Sequence, residues 1–321
     1  MQIRISMRLD QKIASIETRK LIIVLIVSIS NFVVFEIMSF LLGINAVSGF
    51  LLVAIVLYLH LKVKFSFIFD LNLKGAKSWE RSTEFHKSHP SGVLTWFRIF
   101  GKALSLRFHY LYTWKHWRHF QNYLILPGIL YWGIVALLFL NPFDFWRKQL
   151  IIIAGSLLLM VVIWFLKMIF TDYKKASVRL NYMMFSTTII TAFIAYSTSL
   201  GLSWYFGIES SLFVLFVGMV SFLLFYQSLF HSDLVTLQTI GLVLLGAVVI
   251  SVSAFVVSEL WTVNFYTAGL LLAGIAYSYW GMAMLHIQKK LFWRGAFELV
   301  LIFLVVLFFV LATTNFGARI G

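Results

Sequence analysis

Apolar segments of about 20 residues recur along this chain, and short polar stretches separate most of them. About 20 residues is the length that a helix needs to cross a bilayer. Backbone groups in lipid must hydrogen-bond within the segment, so such segments are predicted to be helices. The pattern predicts an all-α integral membrane protein, a polytopic bundle of about nine transmembrane helices, with a range of eight to ten. The predicted spans are 21–42, 44–61, 122–140, 149–170, 181–205, 210–230, 234–258, 263–284 and 296–313.

Lys and Arg residues are distributed unevenly between the two sides of these spans. Of the 26 in the chain, 23 fall on alternate connections, counting from the N-terminal segment. Short cytoplasmic loops retain Lys and Arg during insertion into the membrane. The distribution therefore predicts a protein of the cell membrane, with its N-terminus in the cytoplasm and its C-terminus outside.

One connection, 62–121, is much longer than the others and carries 11 of the basic residues. It divides the chain into three predicted parts. An N-terminal cytoplasmic tail and a two-helix hairpin occupy 1–61, and the basic cytoplasmic or interfacial segment occupies 62–121. A seven-helix membrane bundle follows over 122–321, where short connections indicate compact packing.

Within the basic segment, residues 63–73 alternate between apolar and mostly polar positions, which is the period of a strand. A lone strand cannot satisfy its own edges, so this pattern predicts either pairing with a second copy of the chain, as a homo-oligomer, or contact with the lipid surface. The alternative is an extended linker along the headgroups.

Beyond Pro90 the period becomes helical, because six polar residues from Arg98 to His116 follow one another at spacings of three or four. A basic amphipathic helix with aromatic residues on its apolar side lies in the interfacial plane of a membrane. Each Lys or Arg there contributes on the order of 1 kcal/mol near an anionic surface. Anionic lipid headgroups are therefore the predicted partners, and simple anchoring of the bundle is the alternative. The predicted headgroup-binding residues are Arg98, Lys102, Arg107, His109, Lys115, His116, Arg118 and His119.

Composition limits the chemistry that the chain can perform. Hydrophobic residues make up 61% of it and charged residues 12%, whereas charged residues make up about 25% of soluble proteins. The net charge of +14 would favour nucleic acid in a soluble protein, but here it flanks apolar spans, so nucleic acid is not a predicted partner. The chain has no Cys, which excludes disulfides, thiolate metal sites and Cys nucleophiles.

Two His-x-x-His pairs, His86 with His89 and His116 with His119, raise the question of a metal site. Neighbouring Lys and Arg residues oppose cation binding. Membrane di-iron desaturases also gather histidines at one membrane face, but the His-x-x-His-His pattern does not occur here. We predict no metal and no cofactor, and interpret these residues as part of an interfacial belt.

Polar residues inside the spans are the remaining candidates. A carboxylate in hydrocarbon is costly and is a functional candidate by default. Glu36 is either protonated, paired with a cation at the start of the fourth span, or close to the interface. Thr187, Thr191 and Thr198 share one face of the fifth span, and with Glu36 they are the predicted cavity-lining residues. The alternative for the threonines is helix packing, in which small hydroxyl residues let backbones approach.

No catalytic signature accompanies these features: the phosphate loop, the nucleophile elbow, His-Glu-x-x-His and paired Asp motifs are all missing from the sequence. We therefore expect a non-enzymatic multi-pass membrane protein that binds anionic lipid or an apolar small solute, or that scaffolds partners through its basic segment. One alternative is a membrane-interface enzyme that acts on lipid headgroups with the His and Arg residues of that segment. The other is a transporter with a cavity along the fifth span.

Overall fold

The computed structural model describes residues 25–43, 52, 56, 59–61, 114–140, 145–171, 178–232, 234–261, 264–289 and 292–314. Eight long helices contain nearly all of them, and none of the residues in these ranges lies in a strand. The helices are α1 (Leu25–Gly43), α2 (Trp114–Leu140), α3 (Phe145–Thr171), α4 (Val178–Phe206), α5 (Ser210–His231), α6 (Leu237–Leu260), α7 (Phe265–Ile287) and α8 (Trp293–Thr313).

Each of these eight helices is long and apolar enough to cross a membrane. The chain is therefore a multi-pass integral membrane protein, and the prediction of an all-α polytopic bundle is confirmed. Only 52, 56 and 59–61 of the predicted second span are described, all of them helical, so the total of nine spans stays a prediction. The predicted strand 63–73 and most of the predicted interfacial helix lie outside the described residues.

Several helices begin before the apolar segments predicted for them. Helix α2 begins at Trp114 instead of 122, and α3 begins at Phe145 instead of 149. Hydropathy locates the part of a helix that lies in hydrocarbon, which is about 30 Å thick. The backbone hydrogen bonds of the same helix continue beyond that layer, so helix length exceeds span length.

Tight connections reverse the chain between neighbouring helices. Gly207 has a φ of 63°, a left-handed conformation that favours glycine, between α4 and α5. Thr236 caps α6, because its Oγ1 accepts from the Thr239 backbone N–H at 3.2 Å while Thr239 Oγ1 accepts from the Thr236 N–H at 2.8 Å. Helix α5 is therefore antiparallel to both of its neighbours in the chain, α4 and α6. We refer below to the two ends of the bundle as the Gly207 end and the His231 end.

Helix α4 lies at the centre of the bundle and packs against α2, α5 and α7. Its Tyr196 is fully buried, and the hydroxyl group shares a hydrogen bond of 2.7 Å with Ser221 Oγ on α5. Helix α1 joins the bundle through Asn31, whose Nδ2 donates to the Ser156 carbonyl on α3 at 3.1 Å. Helix α8 lies at the edge and packs chiefly on α7, so much of its apolar surface faces outward, as expected for a helix in contact with lipid.

The separation between α4 and α7 differs at the two ends of the bundle. Near the Gly207 end, a Cβ atom on Gly269 would overlap the Ser197 side chain and would lie 2.7 Å from Ser197 N and Cα. Small residues allow this close approach of the two backbones. Towards the His231 end, the rings of Phe185 and Tyr277 stand between the helices, with their centroids 5.3 Å apart. The helices are therefore in backbone contact at one end and spaced by side chains at the other.

Candidate binding cavity

A cavity of about 690 Å³ lies at the His231 end, between α4, α5, α7 and α8, and Leu126 of α2 also lines it. Small-molecule sites in proteins typically have volumes of about 300–1,000 Å³. Most of the wall is apolar, which suits a ligand with a hydrocarbon part. The apolar wall residues on α4, α7 and α8 are Met184, Phe185, Met284, Leu285, Leu299 and Ile302.

The last turns of α5 give the cavity a polar side. Gln227, Ser228, His231 and Ser232 all line it. Residues four apart lie on the same face of a helix, so Gln227 stands above His231 and Ser228 stands above Ser232. A single helix thus places an amide, an imidazole and two hydroxyl groups along one wall.

Gln227 is the most unusual of these residues. Its side chain is only 2% exposed, and neither the Nε2 nor the Oε1 atom of its amide has a hydrogen-bond partner among the described residues. A buried polar group that lacks a partner costs about 1–3 kcal/mol. The hydrogen-bonding capacity of this amide is therefore unused by the described residues.

The hydroxyl groups around Gln227 are already engaged. Ser228 Oγ accepts from Trp280 Nε1 at 3.2 Å, and Trp280 in turn stacks on Phe225 with centroids 4.6 Å apart. Ser232 Oγ donates to the Ser228 carbonyl at 3.0 Å, and Thr188 Oγ1 donates to the Met184 carbonyl at 2.9 Å. These bonds fix the wall around the amide.

His231 closes the polar side at the C-terminal end of α5. It is buried, and its ring centroid lies 5.2 Å from that of Tyr123 and 6.0 Å from that of Phe230. The carbonyl groups at a helix C-terminus carry partial negative charge, which suits an imidazole at that place. Aromatic packing sets the orientation of the ring.

Charged residues are scarce among the described residues that line the cavity. Glu298 on α8 lines it but is exposed, so this carboxylate belongs to the rim. None of the described lining residues is Lys or Arg. Within the ranges that the structure covers, no group of three or more His, Cys, Asp and Glu residues is placed to hold a metal ion.

The three threonines predicted to line a cavity are buried in the packed part of the bundle. Each hydroxyl group donates to a carbonyl of its own helix: Thr187 to Met184 at 2.8 Å, Thr191 to Thr187 at 2.7 Å, and Thr198 to Ile194 at 2.7 Å. The residues of α4 that line the cavity are instead Met184, Phe185, Ser186 and Thr188. The cavity is thus lined by Ser186 and Thr188, the sequence neighbours of Thr187, and Thr187 itself lies on a packed face of α4.

Glu36 lies on the other side of the bundle from the cavity, where Gln149 Nε2 donates to its Oε1 atom. This contact joins α1 to the first turns of α3. An amide thus accompanies the carboxylate at the place where a cation was one of the predicted partners.

The predicted headgroup-binding residues lie either in the first turns of α2 or before it in the chain. Arg98, Lys102, Arg107 and His109 lie outside the described residues. The backbone at Lys115, His116, Arg118 and His119 is helical, in the first turns of α2, and their side chains lie outside the description. The binding of anionic headgroups by these residues stays a prediction.

The sequence contains one signal for the cavity, which is an amide in a predicted span and not a carboxylate. Gln227 lies near the end of an otherwise strongly apolar segment, and an amide in hydrocarbon needs a partner for the same reason as a carboxylate does. A search for amides as well as carboxylates would have selected Gln227. Its neighbourhood, which comes from α4, α7 and α8, is not encoded in that local pattern.

Comparison of the chain with protein-family models, with curated proteins and with solved structures finds no match. No activity, ligand or partner is therefore transferred from a relative. The cavity and its lining residues carry the functional argument.

Proposed function

We propose that this protein binds an amphiphile, a molecule with a hydrocarbon part and a polar head, in the cavity at the His231 end. The hydrocarbon part lies against the apolar walls of α4, α7 and α8, and the head lies against the polar side of α5. In the orientation predicted from the Lys and Arg distribution, this end of the bundle is cytoplasmic. The ligand then comes from the inner leaflet of the cell membrane.

The observation that carries this proposal is the unpartnered amide of Gln227. Inside a bundle surrounded by lipid, water is scarce, and a buried polar group is costly unless something bonds to it. Packing alone would favour an apolar residue at this position. A glutamine there is explained if a ligand regularly supplies the missing hydrogen bonds.

The position of α8 provides a lateral route to the cavity. Helix α8 is held to α7, where Ser278 Oγ donates to the Leu299 carbonyl at 3.2 Å and a Cβ atom on Gly281 would lie 2.9 Å from the Leu299 methyl carbons. The same face of α8, with Leu299 and Ile302, also lines the cavity, and α4 forms another of its walls. An amphiphile can therefore enter from the membrane between α4 and α8, without passing through water.

The basic segment 62–121 fits the same function as a surface that holds anionic lipids near this end. Its predicted headgroup-binding residues lie in or directly before the first turns of α2, which begin at the side of the bundle where the cavity opens. Electrostatic attraction near the surface would concentrate anionic lipid there. The cavity itself, which has no Lys or Arg among its described lining residues, is a separate site.

Photolabelling of the full chain in lipid nanodiscs tests the proposal. Two probes with the same chain and a diazirine in that chain are used, one with an alcohol head and one with a carboxylate head. At least one probe should label peptides from the cavity segments of α4, α5, α7 and α8. Equal labelling of the outward-facing surfaces of α6 and α8 by both probes, with no preference for the cavity, would contradict it.

A matched pair of variants separates cavity labelling from labelling at the lipid surface. Ser186→Phe places a large side chain at an exposed residue that lines the cavity, and should remove most of the cavity labelling. Ile190→Phe, one turn later on α4, is also exposed but is not among the lining residues, and should leave the labelling unchanged.

A further inference from the structure

We infer that the head of the bound amphiphile is uncharged and can both donate and accept a hydrogen bond, as a hydroxyl group or a primary amide does. This inference rests on the proposed function and deepens it, because it selects one chemical class of ligand for the cavity. It follows from the two unpartnered atoms of the Gln227 amide and from the distribution of charge around the cavity.

The Gln227 amide has both a donor and an acceptor to satisfy. The Gln227 amide presents a donor at Nε2 and an acceptor at Oε1, and both lack partners among the described residues. An ester, ether or quinone oxygen accepts only, so it would satisfy Nε2 and leave Oε1 without a bond. An ammonium group donates only and would do the reverse. A hydroxyl group or a primary amide satisfies both atoms.

The neighbouring hydroxyl groups do not bond to the Gln227 amide. Ser228, Ser232 and Thr188 all take part in hydrogen bonds with other partners. Trp280 further fixes Ser228, because the indole is fully buried and stacked on Phe225. The described lining therefore leaves the amide to the ligand.

The charge of the lining residues also limits the kind of head that fits. A charged head in a poorly hydrated site needs an opposite charge close to it. Among the described lining residues none is Lys or Arg, and the one carboxylate, Glu298, is exposed at the rim. The interior side of the cavity is therefore suited to a neutral head.

His231 is the titratable group closest in sequence to Gln227 on the lining face of α5, and a protonated imidazole would favour a carboxylate head. Its ring is buried between aromatic neighbours, Tyr123 and Phe230. The other titratable groups among the described lining residues are Tyr277 and Glu298. The competition experiment below includes a fatty acid so that the contribution of His231 is measured directly.

The test is a competition between amphiphiles that share one chain length and differ only in the head. The full chain in nanodiscs is labelled with whichever of the two photoreactive probes labels the cavity more strongly. The competitors are hexadecanol, palmitamide, methyl palmitate, palmitate and hexadecylamine. The alcohol and the primary amide should displace the probe from the cavity at concentrations at least about tenfold lower than the other three, because each of those leaves an amide atom of Gln227 unsatisfied.

The Gln227→Met variant keeps the shape of the side chain and removes both hydrogen-bonding atoms. It should bring the alcohol and the methyl ester to within about twofold of each other, since the polar preference originates at this residue. Asn31→Leu is the matched control, because it removes a buried amide that already has a partner on α3, away from the cavity. That variant should retain the full preference.

The possible outcomes are distinguishable. If cavity labelling occurs and all five competitors act alike, or if palmitate or hexadecylamine is the best competitor, the inference about the head is overturned and the proposed function stands. If cavity labelling does not occur with either probe, the proposed function fails as well. The comparison on the unaltered chain decides the inference even if Gln227→Met does not fold.

Discussion

Helices α4 and α7 are packed in two different ways along their length. At the Gly207 end they are in backbone contact, because Gly269 lies directly against Ser197. At the His231 end the aromatic pair Phe185 and Tyr277 spaces them, and the same two helices line a cavity. One helix pair thus supplies both a tightly packed core and a binding site.

Polar side chains behave differently in these two regions. In the packed region Tyr196 and Ser221 bond to each other, and the hydroxyl groups of Thr191 and Thr198 on α4 donate to carbonyls of their own helix. Beside the cavity, Gln227 is equally buried and has no partner in the described structure. The difference teaches that burial alone does not identify a binding site in a membrane bundle; the candidate here is a buried amide that lines a cavity and has both of its hydrogen bonds unmade.

The largest effect is expected from Gly269→Val. The added side chain would overlap Ser197, including its backbone, so α4 and α7 would be forced apart at the packed end. Overpacking of this kind should lower the free energy of unfolding by about 3 kcal/mol. Thermal unfolding in detergent, followed by circular dichroism, measures the change. Gly241→Val is the control, because nothing lies within 4 Å of a Cβ atom there. Equal unfolding temperatures for the two variants would show that α4 and α7 do not approach closely at Gly269.

A smaller loss is expected from Phe185→Ala at the spaced end. The substitution removes the ring that contacts Tyr277 and should cost about 2 kcal/mol, less than for a fully buried Phe, because this side chain is half-buried. The cavity should also widen, so that photolabelling by a probe with a branched chain increases. Met183→Ala, an exposed residue on the same helix, should change neither quantity. A stability loss as large as that of Gly269→Val would mean that the two ends are packed alike.

Tyr196→Phe tests the satisfied polar contact of the packed region. It removes one hydroxyl group and with it the bond to Ser221 Oγ, which should lower the free energy of unfolding by about 1 kcal/mol. Tyr205→Phe, at an exposed position near the end of α4, is the control and should have no measurable effect. If Tyr196→Phe unfolded at the same temperature as the control, the hydrogen bond between Tyr196 and Ser221 would contribute nothing to the stability of the packed region.

The helices were largely predictable from the sequence, as α5 illustrates. The predicted span 210–230 corresponds to the observed helix Ser210–His231, because a continuous apolar run with polar ends can satisfy its backbone in lipid only as a helix. The start of α2 was less predictable, since the helix continues from the hydrocarbon into the headgroup region, where hydropathy no longer marks it.

The cavity was much less predictable, and α4 shows why. Thr187 and Thr188 are neighbours in the sequence and point about 100° apart on the helix, yet only Thr188 lines the cavity. Hydroxyl content alone cannot tell which face meets a space and which meets another helix. That choice depends on how α4 packs against other helices, through contacts between residues far apart in the chain such as Ser197 and Gly269, and no local pattern records such contacts.

The smallest expected effect has the opposite sign, and it separates the two regions most directly. In ligand-free protein, Gln227→Met should raise the free energy of unfolding by up to about 1 kcal/mol, because a methionine fills the same space without an unpartnered amide. Added hexadecanol should then stabilise the unaltered chain, since a ligand that binds only the folded state shifts unfolding by mass action, and should stabilise the variant much less. The measurement is thermal unfolding with and without the alcohol, beside Tyr196→Phe. If Gln227→Met destabilised the free protein as Tyr196→Phe is expected to, the amide would already have a partner, and the cavity would be part of the packed core.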